Sequence, residues 1–362
     1  MHNFRYRISL NSINMDNQNL PLVSIGMPVY NVAPYVEKSV LSVLNQTYKQ
    51  LEILIVDDCG TDNSIDIIRD LVASHARGNC IKILRQPQNM GPGEGRNRAI
   101  KEATGEFIYF IDSDDFIEPE TISIMVEQAE SHGADVVIAT MRSVDYETGM
   151  ITPAFTYSKL EVISGHDAFA HKVCSNLHWN IGITSCNTLF NLNFLRKNKL
   201  LFAARKDEDA LFLSDYYSEV ECAVLMPDIT YNYLSRRGSI MGAQARNNIP
   251  ISEIRERFRT DVLMTERCRR LKCRSFYDVH CSRVMKHKFR AVCVALRHRR
   301  KFTDYLSDME IRQEIRHPAT FKEIMMFKRY RCFNLLFYIL GILPPFFSVK
   351  LSFFIGKFIR WI

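Results

Sequence analysis

Three carboxylates, Asp112, Asp114 and Asp115, fall within four positions directly after the apolar run Phe107-Ile-Tyr-Phe-Ile111. Such a run predicts a buried strand of a mostly parallel sheet. An isolated charge is too costly to bury unpaired, so these groups face solvent, cap a helix or hold a cation. Oxygen donors at this density suit Mg2+ or Mn2+, which take one or two carboxylates and share the rest of their shell with phosphate. The competing interpretation is a solvated acidic turn, with Asp115 just ahead of a helix start at Pro119-Glu120. A second acidic group, Asp207-Glu208-Asp209, precedes Ala210-Leu-Phe212. On its own it suits a helix N-terminus, where the dipole favours negative charge. The loop Asn89-Met-Gly91-Pro-Gly93-Glu-Gly95-Arg96 admits close backbone approach to a nucleotide, with Arg96 as a fixed positive charge, or an ordinary turn. Its spacing is not that of a dinucleotide fingerprint, and no GxxxxGK[ST] phosphate loop occurs.

These groups need elements to position them. Leu22–Met27, Leu51–Val56, Ile81–Leu84 and Phe107–Ile111 read as strands. Helices follow over Tyr35–Leu44, over Ile65 to about Ala76, and to Ala103 after the glycine-rich loop. Four repeats of strand and loop predict an α/β fold, a parallel sheet with helices on both faces. Right-handed crossovers bring the strand-to-helix loops to one edge, where ligands of open α/β sheets bind. Pro28–Asn31, Asp57–Asp58, Asn89–Arg96 and Asp112–Asp115 should therefore meet around one crevice.

The stretch from Val23 to Pro119 resembles the N-terminal half of a family 2 glycosyltransferase with the GT-A-type, Rossmann-like fold. The motifs are Val23-Ser-Ile-Gly-Met-Pro28-Val-Tyr30-Asn31, Ser42-Val-Leu-Asn-Gln46-Thr47-Tyr48, Glu52-Ile-Leu-Ile-Val-Asp57-Asp58 through Asp62-Asn-Ser64, Asn89-Met-Gly91 with Arg96-Asn97, Gly105-Glu106-Phe107, and Asp112-Ser-Asp114-Asp115. Cys59-Gly60 departs from the usual Gly-Ser, Gly95 from Ala, and Thr188 from a common Lys. The resemblance implies roles. Pro28, Tyr30 and Asn31 would flank the base and ribose of a nucleoside-diphosphate-sugar donor, UDP foremost. Asp58 would bond the base with Asp57 supporting it, and Asn89, Gly91, Arg96 and Ser113 would complete the donor site. Asp112 would touch the ribose or the metal shell, and Asp114 would bind a divalent cation, Mn2+ or Mg2+. Glu208, Asp209 and Phe212 match a family Glu-Asp pair, which makes Asp209 the base of an inverting transfer and Glu208 its runner-up. Arg236 and Arg237 would reach the diphosphate.

Charge divides the chain. The net +7 comes largely from the part after Arg236, which points to an anionic partner. No motif or aromatic platform accompanies it, so nucleic acid is not expected. Met1–Leu20 is polar, lacks the apolar core of an export signal and is expected to be disordered. The ten cysteines contain no CxxC pair, which favours reduced thiols over zinc. Phe333–Phe347 is strongly apolar, basic at its flanks and broken by Pro344-Pro345. A span needs about 20 apolar residues, so two interfacial amphipathic helices fit better, with core or oligomer-interface helices as the alternative.

The expected layout is residues 1–20 as a tail and 21–245 as a catalytic domain, itself divided into a nucleotide half (21–120) and an acceptor half (121–245). A basic helical region (246–325) and an apolar membrane-associating tail (326–362) follow. The expected protein is cytoplasmic and peripheral on the inner face of the cell membrane, moving sugar to a hydroxyl on a glycan or lipid-linked acceptor in surface polysaccharide synthesis. The rivals are a sugar nucleotidyltransferase, whose N-terminal glycine signature is missing, and an inactive nucleotide-binding membrane scaffold.

Overall fold

A computed structural model describes residues 20–175, 184–203, 208–236 and 249–358. Four strands, β1 (Val23–Val29), β2 (Leu51–Asp57), β3 (Ile81–Arg85) and β4 (Phe107–Phe110), pair in parallel in the order β3-β2-β1-β4. The helices between them are α1 (Ala33–Leu44), α2 (Ser64–Ser74) and α3 (Pro92–Glu102). β1 runs two residues past the expected Met27 and includes Pro28. Its ladder with β4 stops at Gly26, so on that flank Pro28 already lies beyond the paired region, where a missing N–H is tolerated.

The parallel repeat ends at β4, and the sheet continues with mixed pairing through β5 (Phe116–Ile117), β6 (Val136–Asp145), β7 (Ile151–Phe155), β8 (Glu161–Ser164), β9 (Thr188–Asn191) and β10 (Cys222–Ser235). β9 inserts antiparallel between β4 and β6. It sends Leu189 into one core and Phe190 into the other, so both faces of this short strand are buried. Three more helices, α4 (Thr121–His132), α5 (Ala168–Ser175) and α6 (Leu192–Lys197), join α7 (Glu208–Glu219) around the sheet. α1, α2 and α4 cover one face; α3, α5, α6 and α7 cover the other. Each fully buried aliphatic or aromatic side chain contributes roughly 1.5–3 kcal/mol, and this packing fixes where the loops at the sheet edge stand.

The ladder of β10 with β6 slips twice between Met226 and Tyr231, around Pro227. A proline cannot donate to the ladder and a bulge redirects the strand. Beyond it, Tyr231–Ser235 runs alongside β5 and the Asp112–Asp115 loop. The remaining helices are α8 (Ile251–Arg270), α9 (Tyr277–His298), α10 (Asp308–Glu314), α11 (Phe321–Met326), α12 (Arg331–Ile342) and α13 (Pro345–Phe358). They have apolar cores of their own, and Phe276 and Val279 at the start of α9 join the sheet's second core. All ten cysteines are free thiols.

Candidate active site

After β4 the chain turns back, Asp115 N–H donating to the Asp112 carbonyl at 3.0 Å. The three carboxylates then part company. Asp115 points inward and is 2% exposed. Tyr231 Oη and Leu234 N–H donate to its two oxygens at 2.6 and 2.7 Å. Burial, reinforced by the charges of Asp112 and Asp114, holds it well above the usual carboxylate range. Its task is to strap β10 to the loop. Asp114 points the other way, and its Oδ2 accepts from Arg236 Nη2 at 2.7 Å and Nε at 3.1 Å. The Arg236 guanidinium also lies 4.6 Å over the Tyr35 ring.

Asp112 meets the second acidic group through Arg96. Gly91, at φ 90°, caps α3 in a conformation that disfavours side chains. A Cβ at Gly95 would come 2.9 Å from Pro28 Cβ, so this turn of α3 packs directly on β1. Arg96 follows and is 3% exposed. It donates to Asp112 Oδ1 at 2.8 Å and to Glu208 Oε1 at 3.1 Å, with Asp209 Oδ1 at 3.5 Å. Its guanidinium also lies 5.3 Å over Phe202. Glu208 and Asp209 open α7, and Ser185 Oγ donates to Asp209 Oδ1 at 2.5 Å. Burial, with the neighbouring Asp209 charge adding and Arg96 opposing, pushes Glu208 up to about 7.

The loops on the β1 and β2 side are knitted together. Asn31, at φ 51°, accepts from Thr61 N–H at 2.7 Å, and Ala33 N–H donates to Asp62 at 2.9 Å. Tyr30 is 46% exposed beside them.

Residues 24–192 match the family described as Glycosyl transferase family 2. Over this stretch the chain is similar to a family 2 glycosyltransferase domain. An uncharacterized glycosyltransferase of Haemophilus influenzae is 44% identical over 99 residues, which is 27% of this chain and 38% of that protein. Glycosyltransferase GlyG of Streptococcus pneumoniae is 28% identical over 226 residues, 61% of this chain and 73% of that protein. TarS of Staphylococcus aureus, a poly(ribitol-phosphate) beta-N-acetylglucosaminyltransferase, is 26% identical over 219 residues, 59% of this chain and 35% of that protein. The crystal structure of TarS 1-349 with UDP-GlcNAc aligns at a TM-score of 0.55 and 18% identity, over 88% of this chain and 90% of that one. The fold is thus shared over nearly the whole chain, whereas the chain spans little more than a third of the Haemophilus protein and of TarS.

Within residues 24–192, Asp58 differs from the role the resemblance implies. It is 2% exposed, and its two oxygens accept from Met90 and Gly91 N–H at 2.7 and 2.8 Å. Those bonds hold the glycine-rich loop, because a buried carboxylate needs donors and the loop's free amides supply them. Asp57 likewise accepts from Cys59 N–H at 3.0 Å and is 5% exposed. Arg96 lies beneath the crevice, engaged by carboxylates on both sides. Ser113 is buried within the acidic loop, Asn89 half-buried ahead of Gly91, and Pro28 buried under Gly95. Arg237 falls outside the described residues. Ser185 and Tyr231 were not expected as partners of the two acidic groups; each acts through a contact made across the sheet.

A divalent ion fits the donor set at the mouth of this site. Asp112 Oδ2 and Asp114 Oδ1 accept nothing from the described residues. Among those residues no group of three His, Cys, Asp or Glu side chains stands together.

Proposed function

We propose that the chain is an inverting glycosyltransferase that moves one sugar from a nucleoside-diphosphate-sugar, UDP foremost, to a hydroxyl. The observation that carries it is the single guanidinium of Arg96 shared by Asp112 and by Glu208 and Asp209. Donor-side and acceptor-side carboxylates then flank one crevice. Pro28, Tyr30 and Asn31 wall the base and ribose, and Asp57 and Asp58 hold the loops that shape this wall. A divalent cation, Mn2+ or Mg2+, held by Asp114 and Asp112, would neutralise the charge developing on the leaving diphosphate. Arg236 exchanges Asp114 for a diphosphate oxygen, a partner its fork matches equally well. Asp209 takes the proton of the acceptor hydroxyl as that oxygen bonds to the anomeric carbon. The bond to the diphosphate breaks with its electron pair leaving on phosphate. Asp209 suits the base because its side chain is 42% exposed against 14% for Glu208. UDP-GlcNAc in the TarS crystal structure supports a UDP donor.

The acceptor we propose is a glycan or lipid-linked glycan of a surface polysaccharide, reached at the inner face of the cell membrane. The support lies in α12 and α13. Phe337, Leu340 and Val349 pack inward, while Ile342, Phe346, Phe347, Phe354 and Phe358 are exposed. Lys328, Arg329, Arg331, Lys350 and Lys357 accompany them, with no acidic residue after Glu323. An apolar stripe with a basic fringe suits an anionic lipid surface. Among the described residues, no helix is long and apolar enough to cross a membrane. Sedimentation with vesicles containing phosphatidylglycerol, but not with phosphatidylcholine alone, is expected, and should be lost in Phe347→Glu/Phe354→Glu.

The test of the reaction is nucleotide release from a panel of UDP-, GDP-, dTDP- and CMP-sugars with Mn2+ or Mg2+. Metal-dependent release from one donor, lost in Asp114→Ala, is expected. The absence of both nucleotide release and metal-dependent binding of any nucleoside diphosphate would contradict the proposal.

A further inference from the structure

The two oxygens of Asp209 are not equivalent. Ser185 Oγ donates to Oδ1 at 2.5 Å, and Arg96 Nη1 approaches the same oxygen at 3.5 Å. Oδ2 takes part in no hydrogen bond or ion pair with the described residues, although the side chain is 42% exposed. The hydroxyl and the carboxylate also sit on different kinds of support. Ser185 is 0% exposed and precedes Cys186, which bridges to Phe110 at the end of β4. Thr188 Oγ1 donates to the Thr184 carbonyl at 2.9 Å, closing the turn around it. Ser185 is thereby fixed to the sheet. Asp209 sits in the first turn of α7, where a carboxylate on free torsions would sweep several rotamers.

We infer that Ser185 is a positioning residue: with Arg96 it pins Oδ1 of Asp209 and leaves Oδ2 as the oxygen that receives the acceptor's proton. This rests on Asp209 being the base. Ser185 does not touch the reacting atoms; it fixes the direction from which the proton is taken. A misdirected base lowers the rate of the chemical step while leaving donor affinity alone.

Ser185→Ala and Ser185→Thr test the inference in the full chain. Ser185→Ala should bind UDP with Mn2+ as the wild type does, and its crystal structure should show the Asp209 carboxylate rotated away from its wild-type direction. On the UDP-sugar that the wild type turns over, kcat should fall roughly 10- to 100-fold, the scale of a misplaced catalytic group, with donor KM unchanged. Ser185→Thr, which keeps the hydroxyl, should restore both the carboxylate direction and kcat. A Ser185→Ala structure with Asp209 unmoved would overturn the inference whether or not turnover is measurable. So would an unchanged kcat, or a rise in KM alone. Asp209→Asn separates this failure from that of the base assignment: a fully active Asp209→Asn removes the base, while an inactive Asp209→Asn beside a fully active Ser185→Ala removes only the role of Ser185.

Discussion

Arg96 faces three carboxylates, and two of them, Asp112 and Asp209, have side chains 39% and 42% exposed. In the helical part, Asp261, His287, Lys288 and Glu314 also share one site, but none is more than 6% exposed. There His287 pairs with Asp261 at 2.8 Å, and Lys288 donates to Thr265 Oγ1 and the Arg316 carbonyl, each at 3.1 Å. Burial holds Glu314 well above its usual range and lowers Lys288, while the bond from His287 keeps Asp261 low. The enclosed set joins α8, α9 and α10 through contacts that are shut off from solvent. Among the described residues, the Arg96 set holds more carboxylates than its one guanidinium answers, and its open side is where a cation and a polar substrate have a reason to bind. Buried charge that is balanced marks architecture; buried charge left unbalanced toward a crevice marks chemistry.

Four substitutions test that contrast. Arg96→Met strips the cation from its carboxylates and should destabilise the fold by roughly 3–5 kcal/mol in urea unfolding. Lys288→Met should cost about 1–3 kcal/mol, since Asp261 keeps His287; equal costs would erase the distinction. At the mouth of the site, Arg236→Gln frees Asp114 Oδ2. Mn2+ binding to the nucleotide-free protein, followed by electron paramagnetic resonance, should tighten roughly 5- to 100-fold, and UDP should then enhance Mn2+ binding less than it does in the wild type. Unchanged Mn2+ affinity would mean that Arg236 does not compete for Asp114. Glu208→Gln should have an effect of its own kind, one that depends on pH. Glu208 is pushed up to about 7 in the folded chain. Between its ordinary range near pH 4.5 and pH 7 the folded state holds a proton that the unfolded chain has lost. Stability therefore falls as pH rises through that window. Glu208→Gln escapes this loss and should be more stable than wild type at pH 8, by on the order of 2 kcal/mol, with little difference at pH 4. Parallel melting curves across that range check it.

Much of the N-terminal part of the sheet was legible because it obeys local rules. The apolar runs of β1 to β4, the intervening helices and the placement of the acidic loop after β4 all follow from short-range pattern and the handedness of crossovers. What escaped depends on distant chain. Asp114 and Asp115 are neighbours of one type, yet one turns out and the other in. Tyr231, 116 residues on, decides the matter by donating to Asp115. β9 carries four residues and pairs antiparallel on both sides, too short for any periodicity to announce it. The resemblance implied a base contact for Asp58. Its bonds to Met90 and Gly91 arise only once the third loop folds over it. The contact of Ser185 with Asp209 exists only once the sheet brings the two together.

The central claim is that the carboxylates gathered by Arg96 divide into a donor set and a base. Asp209→Asn tests it most directly. UDP affinity in Mn2+, measured by calorimetry, and transfer from the preferred UDP-sugar should be followed on the same preparation. The account predicts unchanged UDP binding with transfer reduced at least about 10³-fold, a loss that mislaid base catalysis and geometry together explain. Transfer near the wild-type rate, or a loss that merely tracks weakened UDP binding, would contradict it.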